Sequence, residues 1–480
     1  MITNTRLSDE EFARQRKEVL GMWKTGQEVD LDEAVAYHKT LLPKKNVAVK
    51  LNEARKRGEI LLTSDMAHTT IQQEIELLTY IQNEGHTDIL GTMIDSFTRT
   101  LRFEEAERMI RKSEEEGKSL LNGFPIINHG VKGTRKVIDS VDLPVRLRFV
   151  SPVARLVVEI GLAGGHTYTE GHPIICFMNY SKTATLETVI REYQYIFRLV
   201  GCYEEKGIPI VVHPIGGNHI PGICPPSLIL ASTIVNLLML PSQGVKNAYL
   251  SAISQGNFAQ DIAYAVVHPK LGYEYLNKLG YKDMTIFSGG AEIAGRYPKD
   301  ESQAMAEVLW SPIVSFLAGV DLCLIKTIDE AQTIPTKEYN AYSLRGAKMM
   351  LRMLKGQKFD VLSSKEVMVE IEMLEKETRA ILDRILDLGN GDPVVGAIRA
   401  VEAGVLDHPV ASNHYVRGVA MGARDAQGAV RYLVCENQPF SKEIRDFHKE
   451  KLAEREKAIG KKLDWDMVVG DILQISQPLD

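Results

Sequence analysis

The stretch Asn122-Gly123-Phe124-Pro125-Ile126-Ile127-Asn128-His129-Gly130-Val131-Lys132-Gly133 reads as a short buried strand running into a working loop. Residues 124–127 are apolar enough to be covered on both faces, and the glycines at 123, 130 and 133 let the backbone approach a bulky ligand closely. The same pattern, an apolar run closed by a polar residue, recurs along the chain. Runs at 60–63, 145–150, 166–169, 208–213, 248–253, 284–287 and 322–326 bring the strand candidates to eight. Between them, 186–203, 226–240, 259–279 and 301–317 have helical length and an apolar spacing near 3.6. Alternating strands and helices predict an α/β protein with a parallel sheet. Eight such units without a break predict a closed (β/α)8 TIM barrel, with a doubly wound open sheet as the alternative.

The flanks differ in composition. Residues 1–50 are charged, with helical spacing over 10–23 and 32–42, and form an N-terminal helical extension to a barrel spanning 51–359. Residues 360–480 read as a C-terminal helical appendage suited to an interface: 364–388 is a long amphipathic helix closed by Gly389-Asn390-Gly391, and 442–462 is a second, charged helix.

With 480 residues, 44% hydrophobic, 25% charged and a formal charge of -6, the chain can bury a large core and carries no dense cationic patch for nucleic acid. Nothing in residues 1–18 has the apolar segment of a signal peptide, and no apolar run reaches the roughly 20 residues of a membrane span. Five scattered cysteines without C-x-x-C spacing favour reduced thiols over a disulfide framework or a zinc site. A cytoplasmic protein without a membrane partner is expected.

In a barrel the active site forms where strands end, which nominates Asp65, Asn128 with His129, Arg148, Glu170, His213, Ser251, Ser288 and Lys326. Arg146 and Arg148 alternate with Val145, Leu147 and Phe149, so both face the same side of the pleat. An inward arginine needs an anion, either a substrate carboxylate or an internal Asp or Glu. Arg99 is a second candidate clamp or a solvated cation. Glu170 could hold a substrate ammonium or move a proton, and Tyr180 could donate to the same ligand. Histidines 129, 166, 172, 213 and 219 form no H-x-H or H-x-x-x-H pair, and no metal ligand is assigned. The glycine pairs lack a dinucleotide or P-loop pattern. Lys326, Glu330 and Ile334, four apart, could line one face of a helical turn.

At these residues the sequence resembles the epsilon-subunit family of glutamate mutase (methylaspartate mutase), adenosylcobalamin-dependent isomerases. The resemblance covers nearly the whole length. It rests on Leu120-Leu-Asn122-Gly-Phe-Pro with Asn128-His-Gly-Val-Lys-Gly133, on Arg198-Leu-Val-Gly201 with Tyr203-Glu-Glu205, on Pro225-Pro-Ser227, on Gln243-Gly-Val-Lys-Asn247, and on Ile325-Lys326-Thr with Ile334-Pro-Thr-Lys-Glu338. It implies a barrel whose mouth faces the corrin, a radical carbon-skeleton rearrangement of the L-glutamate to 3-methylaspartate type, and a protein that orients the reactants and excludes water. It also implies substrate-binding roles for Arg99, Arg148, Glu170 and Tyr180, and cofactor contacts from Asn122, Tyr297, Lys326, Glu330 and Ile334. The signature D-x-H-x-x-G is absent, since Asp446-Phe-His448 is followed by Lys-Glu-Lys. The cobalt-ligating histidine is therefore expected from a small sigma-like partner subunit, within a heterotetramer built on a homodimer of this chain.

The chain departs from the family at the substrate end. Asp65-Met66-Ala67 stands where the family has an Arg-x-Gly that grips a substrate carboxylate. Phe149 replaces a histidine, Cys176 a tyrosine, and Asn179 a proline beside the cofactor. Asp65 with Glu170 then favours a substrate with one carboxylate and an amino or other donor group at its far end. The competing expectations are an ordinary glutamate mutase with Arg146 in place of the missing arginine, a non-catalytic cobalamin-binding protein, and a metal-dependent hydrolase in which His129, His213 and Asp65 converge.

Overall fold

The computed structural model describes residues 2–216, 222–293, 295, 297–332 and 335–473. Eight parallel strands follow one another: β1 (Leu61–Thr63), β2 (Leu90–Met93), β3 (Val145–Arg148), β4 (Tyr168–Glu170), β5 (Val211–His213), β6 (Asn247–Ser254), β7 (Thr285–Ile293) and β8 (Leu322–Leu324). Six form one curled sheet in the order β1-β8-β7-β6-β5-β4, a half-barrel, while β2 and β3 pair separately. Between β1 and β2, the parallel bridge from Thr63 to Ile89 ties the two sheets.

One expected strand is not a strand. Residues 124–127 lead into the helix Ile126–Asp139, with Pro125 as its N-cap. Proline offers no N–H for a ladder and fixes φ near the helical value, which suits a helix start. Gly130, at φ 67°, then kinks that helix. The place in the sheet goes to β2, which the sequence analysis passed over. The other expected helices stand close to plan, as Leu186–Glu205, Pro226–Leu238, Phe258–Lys278 and Glu301–Ala318.

The inward side chains are layered. Leu61, Tyr168, Val211, Tyr249, Phe287 and Leu322 form an apolar floor, closed from below by Val47, Leu51 and Ala54 of the helix Val47–Arg57. Two residues along each strand, period-two geometry puts Thr63, Glu170, His213 and Ser251 on the same side as that floor. Polar groups therefore collect at the C-terminal ends of the strands, over an apolar base.

The loop after β1 is held by the next helix, Ile71–Glu84. Its capping box joins Thr70 and Gln73, and Glu74 accepts from the His68 amide at 2.6 Å and from Thr92 Oγ1 at 2.5 Å. The helix Pro226–Leu238 is buried along its length.

The C-terminal region is not helical alone. Besides Lys365–Leu388, Pro393–Ala403, Lys442–Ile459 and Trp465–Leu473 it contains an antiparallel pair, β9 (Met421–Arg424) and β10 (Val430–Val434), turned at Asp425 to Gly428. His448, in the near-match to D-x-H-x-x-G, is a core histidine: Nδ1 accepts from the Tyr432 amide at 3.3 Å and Nε2 lies 3.1 Å from Glu377.

Candidate active site

Alternation along β3 aims Arg146 and Arg148 at the same interior, as expected, and both meet one carboxylate. Arg146 Nη2 donates to Asp65 Oδ1 at 2.6 Å, and Arg148 Nη1 to Asp65 Oδ2 at 2.5 Å. Arg148 Nε donates to Glu170 Oε1 at 2.9 Å, while Glu170 Oε2 accepts the Phe149 amide at 2.6 Å. Arg146 spends its remaining donor positions on Thr63 Oγ1 (3.0 Å) and the Tyr168 hydroxyl (3.2 Å). Both arginines thus have internal carboxylate partners.

The electrostatics follow. Burial pushes the Asp65 carboxyl up, but the two guanidinium charges outweigh it and hold Asp65 below the usual carboxylate range. Burial likewise opposes the charge on Arg148, and Asp65 and Glu170 more than compensate. His172, 3.5 Å from Glu170, is driven towards its neutral form by burial, and neither ring nitrogen has a hydrogen-bond partner among the described residues.

A cavity of about 220 Å³ opens above these groups, lined by Asp65, Met93, Asn122, Arg148, Lys326 and Glu330. Lys326 and Glu330 form an ion pair of 2.9 Å, but on turns after β8 and not on a helix as their spacing suggested. The short loop serves because consecutive turns also bring residues four apart together. The Glu330 carbonyl accepts the amide of buried Tyr297 at 3.3 Å, which places that aromatic behind the same loop. Ala67 is buried beside Met66, while Ile334 and His219 lie outside the described residues. In a larger cavity of about 590 Å³, lined by Arg424, Arg455 and Asp471, Arg455 pairs with Asp471 at 2.7 Å and the Arg424 guanidinium donates to the backbone carbonyls of Gly428 and Gln255.

The helix Pro173–Tyr180 carries three further candidates. Cys176 is buried, its Sγ 3.1 Å from the Tyr193 hydroxyl, which in turn bonds the Ser151 carbonyl at 3.0 Å. Burial pushes the thiol well above its ordinary value. Ser151 Oγ donates to the Arg99 carbonyl at 2.9 Å, which brings Arg99 to this rim. The Arg99 side chain makes no ion pair or hydrogen bond with a described residue, and its Nε is buried. Asn179 approaches His408 Nδ1 at 3.5 Å, its Oδ1 buried without a partner among the described residues. Tyr180 ends the helix, 40% exposed.

Sequence reasoning missed Met93, Thr63 and Tyr168, and it missed Asn413. Asn413 Nδ2 donates to the Phe177 carbonyl at 3.1 Å and to the Ala184 carbonyl at 3.0 Å, clamping the end of the Cys176 helix from the C-terminal region. The run Ile89 to Ile94 between Asp88 and Asp95 carried a signal for β2 and hence for Met93. Nothing local marks Asn413.

The metal hydrolase expectation fails on geometry. His129 stacks on Phe124 at 4.6 Å and bonds the Thr69 carbonyl, and His213 bonds Ser251 Oγ, so neither turns to Asp65. Among the described residues no group of three or more His, Cys, Asp and Glu could hold a metal ion.

Comparison with known proteins places the whole chain in a family. The family described as Methylaspartate mutase E chain (MutE) matches residues 41–479. The glutamate mutase epsilon subunit of Desulfitobacterium hafniense is 42% identical over 477 residues, covering 99% of this chain and 98% of that one. That of Treponema denticola is 39% identical over 474 residues (98% and 97%), and that of Haloarcula marismortui 35% over 477 (99% and 96%). Among solved structures, tryptophan synthase subunit alpha from Legionella pneumophila str. Paris reaches a TM-score of only 0.24 at 10% identity, covering 63% of this chain and 97% of that one, too slight to bear on the fold. By these matches the chain belongs to the methylaspartate mutase E chain family, as a glutamate mutase-like catalytic subunit of the isomerase class.

Proposed function

We propose that the chain binds an amino acid and faces adenosylcobalamin in a carbon-skeleton rearrangement of the L-glutamate to 3-methylaspartate type. The observation that carries this reading is the cavity itself: a charged wall of Asp65, Arg148 and, behind them, Glu170, beside a second wall of Asn122, Lys326 and Glu330. The first suits a zwitterionic substrate. The second suits a large cofactor with a polar rim, since the Lys326 and Glu330 side chains remain 25% and 23% exposed and Asn122 is exposed at the edge.

When bound, adenosylcobalamin would supply the radical that removes and later returns a substrate hydrogen. The protein's work is the rest. Arg99 and Arg148 hold carboxylate, Glu170 holds the ammonium, Phe149 and Cys176 keep water out, and Tyr180 closes the side nearest the C-terminal region. Asn122, Tyr297, Lys326, Glu330, Ile334 and Ala67 would hold the cofactor. His448 is spent in the core, which supports a separate cobalt-ligating subunit carrying D-x-H-x-x-G, assembled with a homodimer of this chain as a cytoplasmic heterotetramer.

In this reading residues 51–359 close as a (β/α)8 barrel, flanked by 1–50 and by an interface-forming 360–480. Closure between β3 and β4 is supported by His166 Nδ1 bonding the Val145 carbonyl at 2.9 Å and by the Arg148–Glu170 pair.

The test is reconstitution with the small subunit and adenosylcobalamin. Tritium should pass between the cofactor's adenosyl carbon and an amino acid from a panel that includes glutamate. Cobalamin retention without tritium transfer to any amino acid would sink the catalytic reading in favour of a binding protein.

A further inference from the structure

We infer that Asp65 is a built-in carboxylate that selects a monocarboxylic amino acid whose far end bears a hydrogen-bond donor, an amine or an amide. The inference deepens the mutase reading and rests on it. A dicarboxylate needs two anion receptors, and the site offers one. Every donor nitrogen of Arg146 is engaged, and the residue is sealed behind Asp65 at 1% exposure. Arg148 has given Nε to Glu170 and Nη1 to Asp65, leaving Nη2 alone. Lys326 is paired with Glu330. Beside them the Arg99 guanidinium makes no ion pair or hydrogen bond with a described residue, so one carboxylate can be gripped in full.

Asp65 sits where a second carboxylate would go, and it cannot easily leave. β2 passes so close that a Cβ at Gly91 would lie 2.5 Å from Asp65 Oδ1. Each Asp65 oxygen takes one guanidinium N–H, so each retains acceptor capacity towards the cavity it lines. A carboxylate brought to that wall meets like charge in a buried site, whereas an amine or amide N–H meets an acceptor.

The experiment titrates L-ornithine, L-glutamine, L-norvaline and L-glutamate into the reconstituted complex, reading affinity by calorimetry and turnover by tritium transfer. Ornithine or glutamine should bind about 100-fold or more tightly than glutamate, with norvaline weaker than the better donor probe. Equal or tighter binding of glutamate overturns the inference, and so does norvaline matching the donors. Tritium transfer separates the two readings. A donor preference in binding without transfer leaves the substrate class standing and removes the mutase reading. Transfer fastest with glutamate does the reverse. Asp65→Asn should shift the glutamate-to-donor ratio about 10-fold or more towards glutamate. If that variant does not fold, Arg99→Met must abolish binding of every probe, and undiminished binding refutes the single-receptor argument.

Discussion

Replacing Asp65 with asparagine keeps the shape of the side chain and removes its charge. The amide oxygen can satisfy one guanidinium, but the amide nitrogen then faces N–H groups of the other. Arg146 is 1% exposed and Asp65 8%, so water cannot take over. Breaking a buried pair from one side costs about 3–5 kcal/mol, most of it the desolvated charge left behind. At ~2.1 cal/mol/K of unfolding entropy per residue, the 480 residues give ~1 kcal/mol/K, so Tm should fall by about 3–5 °C in a calorimetric scan. The pH dependence has a definite sign. Asp65 is depressed by Arg146 and Arg148 against its burial, so its contribution is present above the unfolded carboxylate range and disappears as pH falls through the lower folded value. The gap between wild type and variant should be flat from pH 6 to 9 (roughly) and narrow only in acid. In an Arg146→Met background the same substitution should cost about 2 kcal/mol less. A Tm loss under ~1 °C, or no coupling to Arg146, would refute a buried ion triad.

Glu74 is pushed up from 4.5 to about 8 by burial, so the folded state binds more protons than the unfolded one across that window. Stability should therefore decline by up to about 1.4 kcal/mol per pH unit as pH rises through it, and Glu74→Gln should flatten the decline in Tm scans. Lys326→Met removes a partly exposed pair worth about 0–1 kcal/mol, so Tm should barely move while cobalamin binding to the complex falls about 10-fold by absorbance titration. Asn413→Ala strips two carbonyls of their donor and should cost about 2 kcal/mol, with faster hydrogen exchange confined to the helix Pro173–Tyr180. Gly91→Ala should cost about 1–3 kcal/mol and loosen the Asp65 bridge, lowering discrimination between glutamate and donor-bearing probes.

Much of the fold was legible because it is written in short-range periods. Four long helices were found to within a few residues, since each buries a 3.6-period stripe, and β3 was legible from the alternation that also aligned its arginines. β2 was missed because Leu90-Gly-Thr-Met is short and only half aliphatic, while the more apolar 124–127 competed for its place. Pro125 was the cue against that choice. The site was legible as a set of strand ends but not as a network. Asp65 meets its arginines 81 and 83 positions away, and Asn413 reaches back 236 and 229. No local pattern encodes such pairings; packing does.

Gly91 shows how the two scales join. In β2 it looks like a weakness, a residue that adds nothing to packing and loses entropy on folding. Its register partner on β3 is Arg146, and Ser64 and Asp65 lie against its other side at the end of β1. β1 and β3 are separated by β2, so the Arg146 side chain reaches Asp65 by crossing the position of residue 91. With no Cβ there, Arg146 passes and closes on Asp65, which Arg148 reaches from beside Met93. A Cβ there would meet the Ser64 carbonyl at 2.4 Å and Asp65 Oδ1 at 2.5 Å, so a larger residue would push the carboxylate away from Arg146. The bridge between Asp65 and Arg146 is therefore set as much by the side chain that β2 lacks as by the charges its neighbours carry.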